Sequence, residues 1–243
     1  MVTQQLTPSE TEVSGPARQL EGRVQVRRAR TRQRLLEVTE ELVRARGVEA
    51  VTVDDIADAA DISRRSFYHH FESKHDLIVP MARAHTLSLN CRIDRLVEDV
   101  QDPAETASIA LRHTLRGIVG DPLSCWFILH SGLPHDRLRE GIGESAARDL
   151  DRGVRTGRFV LSNRNVLEHL CGGAVLGVLS ARIGGALVDD DLDDAVEHVL
   201  RILGLKPDEA HEIAHRPLPE LPGELGDVAD AGRRKRRPAA ARK

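Results

Sequence analysis

The stretch 52–77, TVDDIADAADISRRSFYHHFESKHDL, constrains the fold more than any other part of the chain. Four apolar residues in it recur at the spacing of one face of a short helix: Val53, Ile56, Ala57 and Ala60. Thr52 precedes this face and Asp55 follows three residues later, close to the pattern of a capping box. A helix of about two turns cannot bury a core alone. We therefore expect it to share a core with the next element.

A second short helix is predicted over residues 64–71. Ser63 is a favourable N-cap for it, and Phe67 and Phe71 form its inner face. Asp61, just before the cap, is expected to take a left-handed turn conformation, which aspartate tolerates better than most residues. Two such helices that cross over one core form a helix-turn-helix.

The exposed side of the second helix indicates DNA binding. A recognition helix enters the major groove with its N-terminal residues against the base edges, and arginine bonds guanine bidentately. Lys74 begins the next helix, where a cation and free amides can hold one phosphate. The alternative is a solvated polar face on an ordinary helix pair. The residues predicted here to contact DNA are Thr52, Ser63, Arg64, Arg65, Ser66, Tyr68, His69 and Lys74.

Arginines are concentrated just before this unit, in the segment 23–34, which contains no acidic residue. Such a run is either a solvated helix face or an arm that neutralises phosphates or enters a minor groove. Arg27 and Arg28 are the predicted DNA contacts in it. Residues 1–22 lack an apolar period and are predicted to be a disordered arm. The first helix is expected over residues 29–46, ending at Gly47 as a C-terminal cap.

As a set, these residues resemble the TetR family of bacterial transcriptional regulators. The residues that carry the resemblance are Thr52, Val53, Ile56, Ala57, Ala60, Ile62, Ser63, Tyr68, Phe71, Lys74 and Leu77. Asp61 departs from the family's usual glycine, and Arg65 stands where many relatives have a small residue. The resemblance implies a three-helix DNA-binding domain, assigned to residues 23–76, and a helical ligand-binding and dimerisation domain, assigned to residues 77–215.

The rest of the chain reads as helices without strand alternation, so the predicted fold class is all-α. Further helices are expected over about 74–97, 103–119, 123–130, 136–156, 163–184, 192–203 and 207–215. The helix 163–184 carries a stripe of small residues, Gly173, Gly177, Ala181 and Gly184. By the resemblance, the last two long helices pair with their copies in a homodimer; the alternative is intramolecular packing. Residues 216–243 are predicted to be a disordered linker and a basic tail.

The function implied is a homodimeric repressor that a small molecule releases from a near-palindromic operator. An apolar effector pocket is expected in the body of the protein. The candidate pocket residues are Met81, His113, Trp126, Phe127 and His130.

Two other functions are possible alternatives to this interpretation. His211-Glu212-Ile213-Ala214-His215 matches the helical H-E-x-x-H zinc motif of metalloproteases, with Glu220 and Glu224 as possible third ligands. Arg-Pro-Leu-Pro follows directly and no later histidine exists, so we predict no enzyme, no catalytic residue, no metal site and no cofactor. A ligand-free architectural DNA-binding protein is the third possibility.

Composition adds little to these alternatives but sets bounds. The formal charge of the 243 residues is only -3, so overall charge does not drive nucleic-acid binding. The chain shows no secretory signal, and its longest uncharged run is too short for a membrane span. Cys91, Cys125 and Cys171 are expected to be buried reduced thiols, and the localisation to be cytoplasmic.

Overall fold

The computed structural model describes residues 16–130, 144–160 and 163–223, and every regular element in these ranges is a helix. In chain order they are α1 (Pro16–Arg46), α2 (Val53–Ala59), α3 (Arg64–Tyr68), α4 (Lys74–Leu96), α5 (Pro103–Gly120), α6 (Pro122–His130), α7 (Glu144–Arg155), α8 (Arg164–Ile183), α9 (Asp191–Ile202) and α10 (Pro207–Ala214). The all-α fold class is confirmed. The predicted helix start near residue 136 lies outside the described residues.

Helix α1 is longer than the sequence pattern indicated. It begins at Pro16 rather than near residue 29, so residues 16–22 are helical and not part of a disordered arm. Proline is favoured in the first helical turn, because its missing N–H has no partner there. Residues 22–30 are exposed on every side, which is why this half of the helix has no apolar period. The remainder of the predicted arm, residues 1–15, lies outside the described residues.

Local capping interactions shape the helix-turn-helix. Thr52 and Asp55 form the predicted capping box, and the Ser63 hydroxyl accepts from the Ser66 amide at 3.1 Å. Asp61 has a φ of 55°, the left-handed conformation expected of it. Helix α3 ends at Tyr68, three residues earlier than predicted, and His69 caps it.

Two apolar cores hold the helices together. The first lies under the helix-turn-helix and includes Leu35, Ile56, Phe67 and Leu77, all 0% exposed. It also contains Leu123 from α6, an element of the body. The second core joins α5, α7, α8, α9 and α10. Because α4 and α6 reach the first core while continuing into the body, they connect the two regions.

A segment after α10 lies along the body. The backbone carbonyl groups of Arg216, Pro219 and Pro222 accept hydrogen bonds from Arg112, His113 and Arg92, at 2.7, 2.9 and 2.7 Å. The prediction of a disordered linker from residue 216 is therefore wrong for residues 216–223. The sequence of this segment did not predict these contacts, because its backbone carbonyl groups make them and not apolar side chains. The predicted basic tail lies outside the described residues.

Candidate DNA interface and body cavity

The exposed face of α3 presents Arg64 and Arg65 in its first turn. Arg64 Nη1 donates to Asp54 Oδ2 of α2 at 2.7 Å, and its Nη2 lies 3.4 Å from the Tyr68 hydroxyl. The hydrogen bonds with Tyr68 and then Asp54 raise the pKa of the Arg64 guanidinium, so this group stays charged. Arg65 makes no ion pair within the described residues and is directed to solvent. The two arginines thus differ, since only Arg64 must leave an acidic partner to contact a base.

Helix α1 brings further arginines beside α3. Arg28 Nη2 donates to the His69 carbonyl at 3.3 Å, and the guanidinium of Arg32 lies 4.8 Å from the centre of the Phe71 ring. Arg27 is exposed in the same half of α1. The structure therefore places Arg27, Arg28 and the α3 arginines on neighbouring elements.

The hydroxyl groups of Thr52 and Ser63 make structural hydrogen bonds at this surface. The Thr52 hydroxyl donates to Asp55 Oδ2 at 2.6 Å and accepts from the Asp55 amide at 3.1 Å. Both hydroxyl groups cap helices, and both residues remain at the edge of the exposed face with Ser66 and His69. Tyr68, on the same face, is 44% exposed.

Lys74 does not lie free for a phosphate. Its Nζ donates to the carbonyl groups of Val48 and Val51 at 3.0 and 2.8 Å. The prediction that Lys74 contacts DNA is therefore corrected, because its ammonium group is committed to the loop between α1 and α2. The sequence gave no signal of this, since both acceptors are backbone atoms more than twenty residues away.

The body contains an apolar cavity of about 210 Å³. Helices α4, α5, α6, α7, α8 and α9 contribute to its wall, and the polar side chains in it are Asn90, Asp94, Thr114, Ser145, Asp149 and Glu168. Apolar lining residues include Ile93, Leu111, Ile118, Leu150, Phe159 and Leu179. An apolar chamber with a few polar groups is the usual form of a small-molecule site.

Two of the three carboxyl groups in the cavity wall, those of Asp94 and Asp149, have different surroundings. Asp94 Oδ2 accepts from the Ser145 hydroxyl at 2.8 Å and from Arg148 Nη2 at 3.2 Å. Asp149 has no ion-pair partner among the described side chains, and burial, followed by the charge of Asp94, raises its pKa. Asp149 therefore has unused hydrogen-bonding capacity.

The five residues predicted to line the pocket do not line this cavity, and that assignment is corrected. Met81 belongs to the core under the helix-turn-helix, and Phe127 packs against both cores. Trp126 Nε1 donates to Glu49 at 2.6 Å, His130 stacks on Trp126, and His113 contacts the Pro219 carbonyl. The sequence signal that was missed is the pair Asn90 and Asp94, polar residues one turn apart beside buried Ile93.

The H-E-x-x-H segment forms the second half of α10 and its C-cap residue, His215. Glu212, the would-be base, accepts from Arg216 Nη2 at 2.8 Å and does not approach the two histidines' cluster. The acidic residue brought to His211 and His215 is Glu197 of α9, and Glu220 is not part of this group. Glu224 lies outside the described residues.

Helix α8 leaves apolar surface uncovered. Val166 and Leu170 are 54% and 55% exposed. Apart from the adjoining backbone of the helix itself, no atom of the described residues lies within 4 Å of where a Cβ would stand on Gly173 or Gly177. Among the described helices, this is the one with the length and mean hydropathy to cross a membrane, a criterion of length and composition alone. Cys91, expected to be buried, is exposed, whereas Cys125 and Cys171 are half-buried.

Comparison with protein families gives two matches. Residues 35–80 match the family described as "Bacterial regulatory proteins, tetR family", and residues 102–216 match "Tetracyclin repressor-like, C-terminal domain". The first match covers α2, α3 and most of the core around them. The second covers α5 to α10, of which α5 to α9 form the cavity wall together with α4.

Individual relatives agree with these matches. The chain is 32% identical over 95 residues to an uncharacterised helix-turn-helix transcriptional regulator of Mycobacterium tuberculosis, covering 39% of this chain and 47% of that protein. It is 38% identical over 71 residues to the transcriptional repressor KstR2 of the same organism, covering 29% of this chain and 36% of that protein. The chain thus spans less than half the length of these curated relatives.

A solved structure matches over a longer range. The crystal structure of RolR in complex with resorcinol is 30% identical, with a TM-score of 0.68, covering 80% of this chain and 97% of that one. The ligand-free RolR structure gives a TM-score of 0.67 at 29% identity, covering 78% and 100%. The similarity therefore includes both the helix-turn-helix and the body.

Proposed function

Because the chain belongs to the TetR family of bacterial transcriptional regulators, we propose that it is a homodimeric repressor released from operator DNA by a small molecule. The observation that carries this proposal is the continuous path from α3 to the cavity. Helix α4 contributes Leu77, Ile78 and Met81 to the core under α3, and Asn90, Ile93 and Asp94 to the cavity wall.

DNA binding rests on the exposed first turn of α3. Arg64 and Arg65 stand where a recognition helix meets base edges, and the α1 arginines lie beside them for phosphates. On binding, Arg64 exchanges Asp54 for a base, whereas Arg65 loses no protein partner. We therefore assign the larger share of affinity to Arg65 and expect Arg64 to contribute more to selectivity.

The dimer interface that we propose uses α8 and α9. The open space around Gly173 and Gly177 disfavours intramolecular packing as the reason for the small-residue stripe. Glycine inside a helix costs about 1 kcal/mol relative to alanine, and close approach of a second helix offsets that cost. The exposed Val166, Leu170 and Ile202 would be covered by the same contact. Two recognition helices would then reach half-sites about 34–36 Å apart.

Effector binding acts through population shift in this account. A ligand changes the equilibrium only if it binds one arrangement of the dimer more tightly than the other. The cavity touches both α4 and α6, and α6 places Leu123 in the core under the helix-turn-helix. A ligand that moves these helices would therefore alter the spacing of the two recognition helices.

The cavity favours a small ligand with an apolar body and hydroxyl groups. Apolar side chains form most of the wall, and the Asp149 carboxyl has no ion-pair partner among the described side chains, so a ligand hydroxyl could bond it. The similar protein RolR has been crystallised with resorcinol, a ring with two hydroxyl groups. We propose a dihydroxybenzene or a related compound as the effector class, with Asp149 and Asp94 as acceptors.

The test is release of the protein from DNA of its own upstream region in a gel-shift assay. Resorcinol is expected to release the wild-type protein from DNA. Release of Asp149→Asn should need a resorcinol concentration at least about tenfold higher, because a buried polar contact is lost. Asp151→Asn is the matched control, because Asp151 is on the same helix but does not line the cavity and instead pairs with Arg164 at 2.6 Å. DNA binding that no dihydroxybenzene affects would contradict the effector class, and absence of DNA binding would contradict the repressor.

The other two functions are not favoured. A hydrolase using α10 would need Glu212 free as a base, but Arg216 holds it. An architectural protein would need no discrete cavity. Members of this family are transcriptional regulators and are generally not enzymes, and we propose a cytoplasmic location with α8 buried in the dimer and not in a membrane.

A further inference from the structure

A cluster of two histidines and a carboxylate on the α9–α10 hairpin has no part in the proposed repressor mechanism. One ligand-type atom from each of Glu197, His211 and His215 lies within 4.8 Å of the others. His211 and His215 are one turn apart on α10, with ring centres 4.3 Å apart, and Glu197 comes from α9. From this geometry we propose that Glu197, His211 and His215 bind a divalent transition-metal ion, with zinc as the reference ion.

The hydrogen bonds of His215 support this proposal. Its Nδ1 lies 2.9 Å from the His211 carbonyl, which can only accept, so Nδ1 carries a hydrogen. In the neutral ring, Nε2 then has a lone pair, and this atom lies 3.1 Å from Asp194 Oδ1. A metal ion beside Nε2 could be bound by this lone pair together with a carboxylate oxygen. Histidines that bind metals commonly donate their other N–H to a carbonyl in this way.

The charged side chains around the two histidines favour a divalent ion. His211 Nδ1 lies 2.8 Å from Glu197 Oε2, and the two imidazole rings lie side by side, so nitrogen and oxygen ligand atoms converge on one place. Arg201 also approaches Glu197, at 3.8 Å, and competes with the metal for one of its oxygens. Asp194 and Glu197 together neutralise a divalent charge.

The cluster is held on rigid elements. Leu200, Leu203, Ile213 and Ala214 anchor the hairpin in the body core, all less than 5% exposed. A zinc ion about 2.1 Å from each of its ligands needs them about 3.4 Å apart, a closer spacing that small side-chain rotations provide. Two imidazoles and a carboxylate select zinc, nickel or copper over magnesium or calcium. Asp194 or water completes the coordination, and the ion would fasten α9 to α10.

The experiment uses the full chain without an affinity tag, titrated with zinc chloride by calorimetry and measured for bound metal after dialysis. We expect one zinc ion per chain, with no comparable heat for magnesium. His211→Gln and Glu197→Gln should each weaken zinc binding by more than about tenfold. His169→Gln is the matched control, because His169 makes the same contact to a carbonyl one turn earlier, at 2.6 Å on α8.

A second measurement separates binding at this cluster from binding elsewhere on the chain. Zinc should raise the melting temperature of the wild-type protein and of His169→Gln, but not that of the double variant His211→Gln with His215→Gln. Wild-type protein that retains no zinc above trace would overturn the proposal. Equal zinc affinity in wild-type protein and the double variant would also overturn it, since the three cysteines or other histidines would then hold the ion.

Discussion

The helix-turn-helix and the body use polar side chains in different ways. In the helix-turn-helix, Thr52 bonds Asp55 and Ser63 bonds Ser66, each three residues apart and exposed. In the body, Arg112 bonds Asp193 across 81 residues and Arg158 bonds Asp102 across 56. Local capping leaves one face of the small unit free for DNA. Long-range pairs instead fix how the body helices pack around the cavity.

The largest effect is expected from breaking the most buried of these pairs. Arg112→Leu removes a guanidinium that donates twice to Asp193 at 2.9 Å and once to the Arg216 carbonyl, with a side chain only 7% exposed. Removing one partner of a buried pair typically costs about 3–5 kcal/mol. Urea unfolding should show a loss of unfolding free energy near the lower end of this range, because Arg116 still reaches Asp193 at 2.8 Å. Arg64→Leu, at an exposed position, should leave the urea midpoint nearly unchanged. Equal losses of stability in the two variants would show that the long-range pairs of the body do not stabilise it more than the exposed pairs of the helix-turn-helix.

A smaller loss is expected from Lys74, which makes long-range contacts within the helix-turn-helix. Lys74→Met keeps the aliphatic stem but leaves the Val48 and Val51 carbonyl groups without their donor, at a cost of about 1–3 kcal/mol. Arg65→Met removes the same charge from an exposed position. Thermal unfolding should separate the two: only Lys74→Met lowers the melting temperature, and only Arg65→Met weakens DNA binding at unchanged stability. If Lys74→Met weakened DNA binding alone, the assignment of Lys74 to the loop would be wrong.

These contrasts also explain what the sequence could and could not predict. The capping box, the Ser63 cap and the turn at Asp61 each depend on residues a few positions apart, and the structure confirms them. The bonds of Lys74 and the cavity wall depend on residues that meet only after packing. Asp94 and Asp149 lie on different helices, and no local pattern shows that they face one chamber.

Asp61 offers a stabilising substitution in the helix-turn-helix. Its φ of 55° disfavours a residue with a side chain, so Asp61→Gly should stabilise the protein by about 1 kcal/mol or less, reduced by glycine's greater freedom in the unfolded chain. Chemical denaturation is the measurement, and Asp58→Gly inside α2 is the control, which should destabilise. A loss of stability in Asp61→Gly would show that its side chain has an additional role.

The smallest effect concerns the boundary between the two regions, where His85 of α4 meets Asp121 at 3.2 Å. The hydrogen bond with Asp121 raises the pKa of His85, and Glu40 adds to this while burial and Arg44 oppose it. The pKa of Asp121 is lowered to about 2, against its burial, by bonds from His85 and Ser124.

The sign of the pH dependence follows from these directions. The contribution of His85 is fully present below its unfolded pKa, about 6.5, and is lost as pH rises through the raised folded value. The contribution of Asp121 is present above its unfolded pKa and is lost as pH falls toward 2. His85→Gln should therefore lower the melting temperature more at about pH 5.5 than at about pH 8.5. If His85→Gln lowered the melting temperature equally at both pH values, the interaction with Asp121 would not favour the charged form of His85.

Fluorescence anisotropy of a labelled duplex from the chain's own upstream region tests whether α3 reads DNA. We predict salt-sensitive binding that is tighter than to a scrambled duplex. Arg64→Ala combined with Arg65→Ala should weaken it at least about tenfold at unchanged melting temperature, while Arg155→Ala in the body has no effect. Wild-type protein that does not distinguish the two duplexes, or a double variant that binds as tightly as wild type, would contradict α3 as the element that reads DNA.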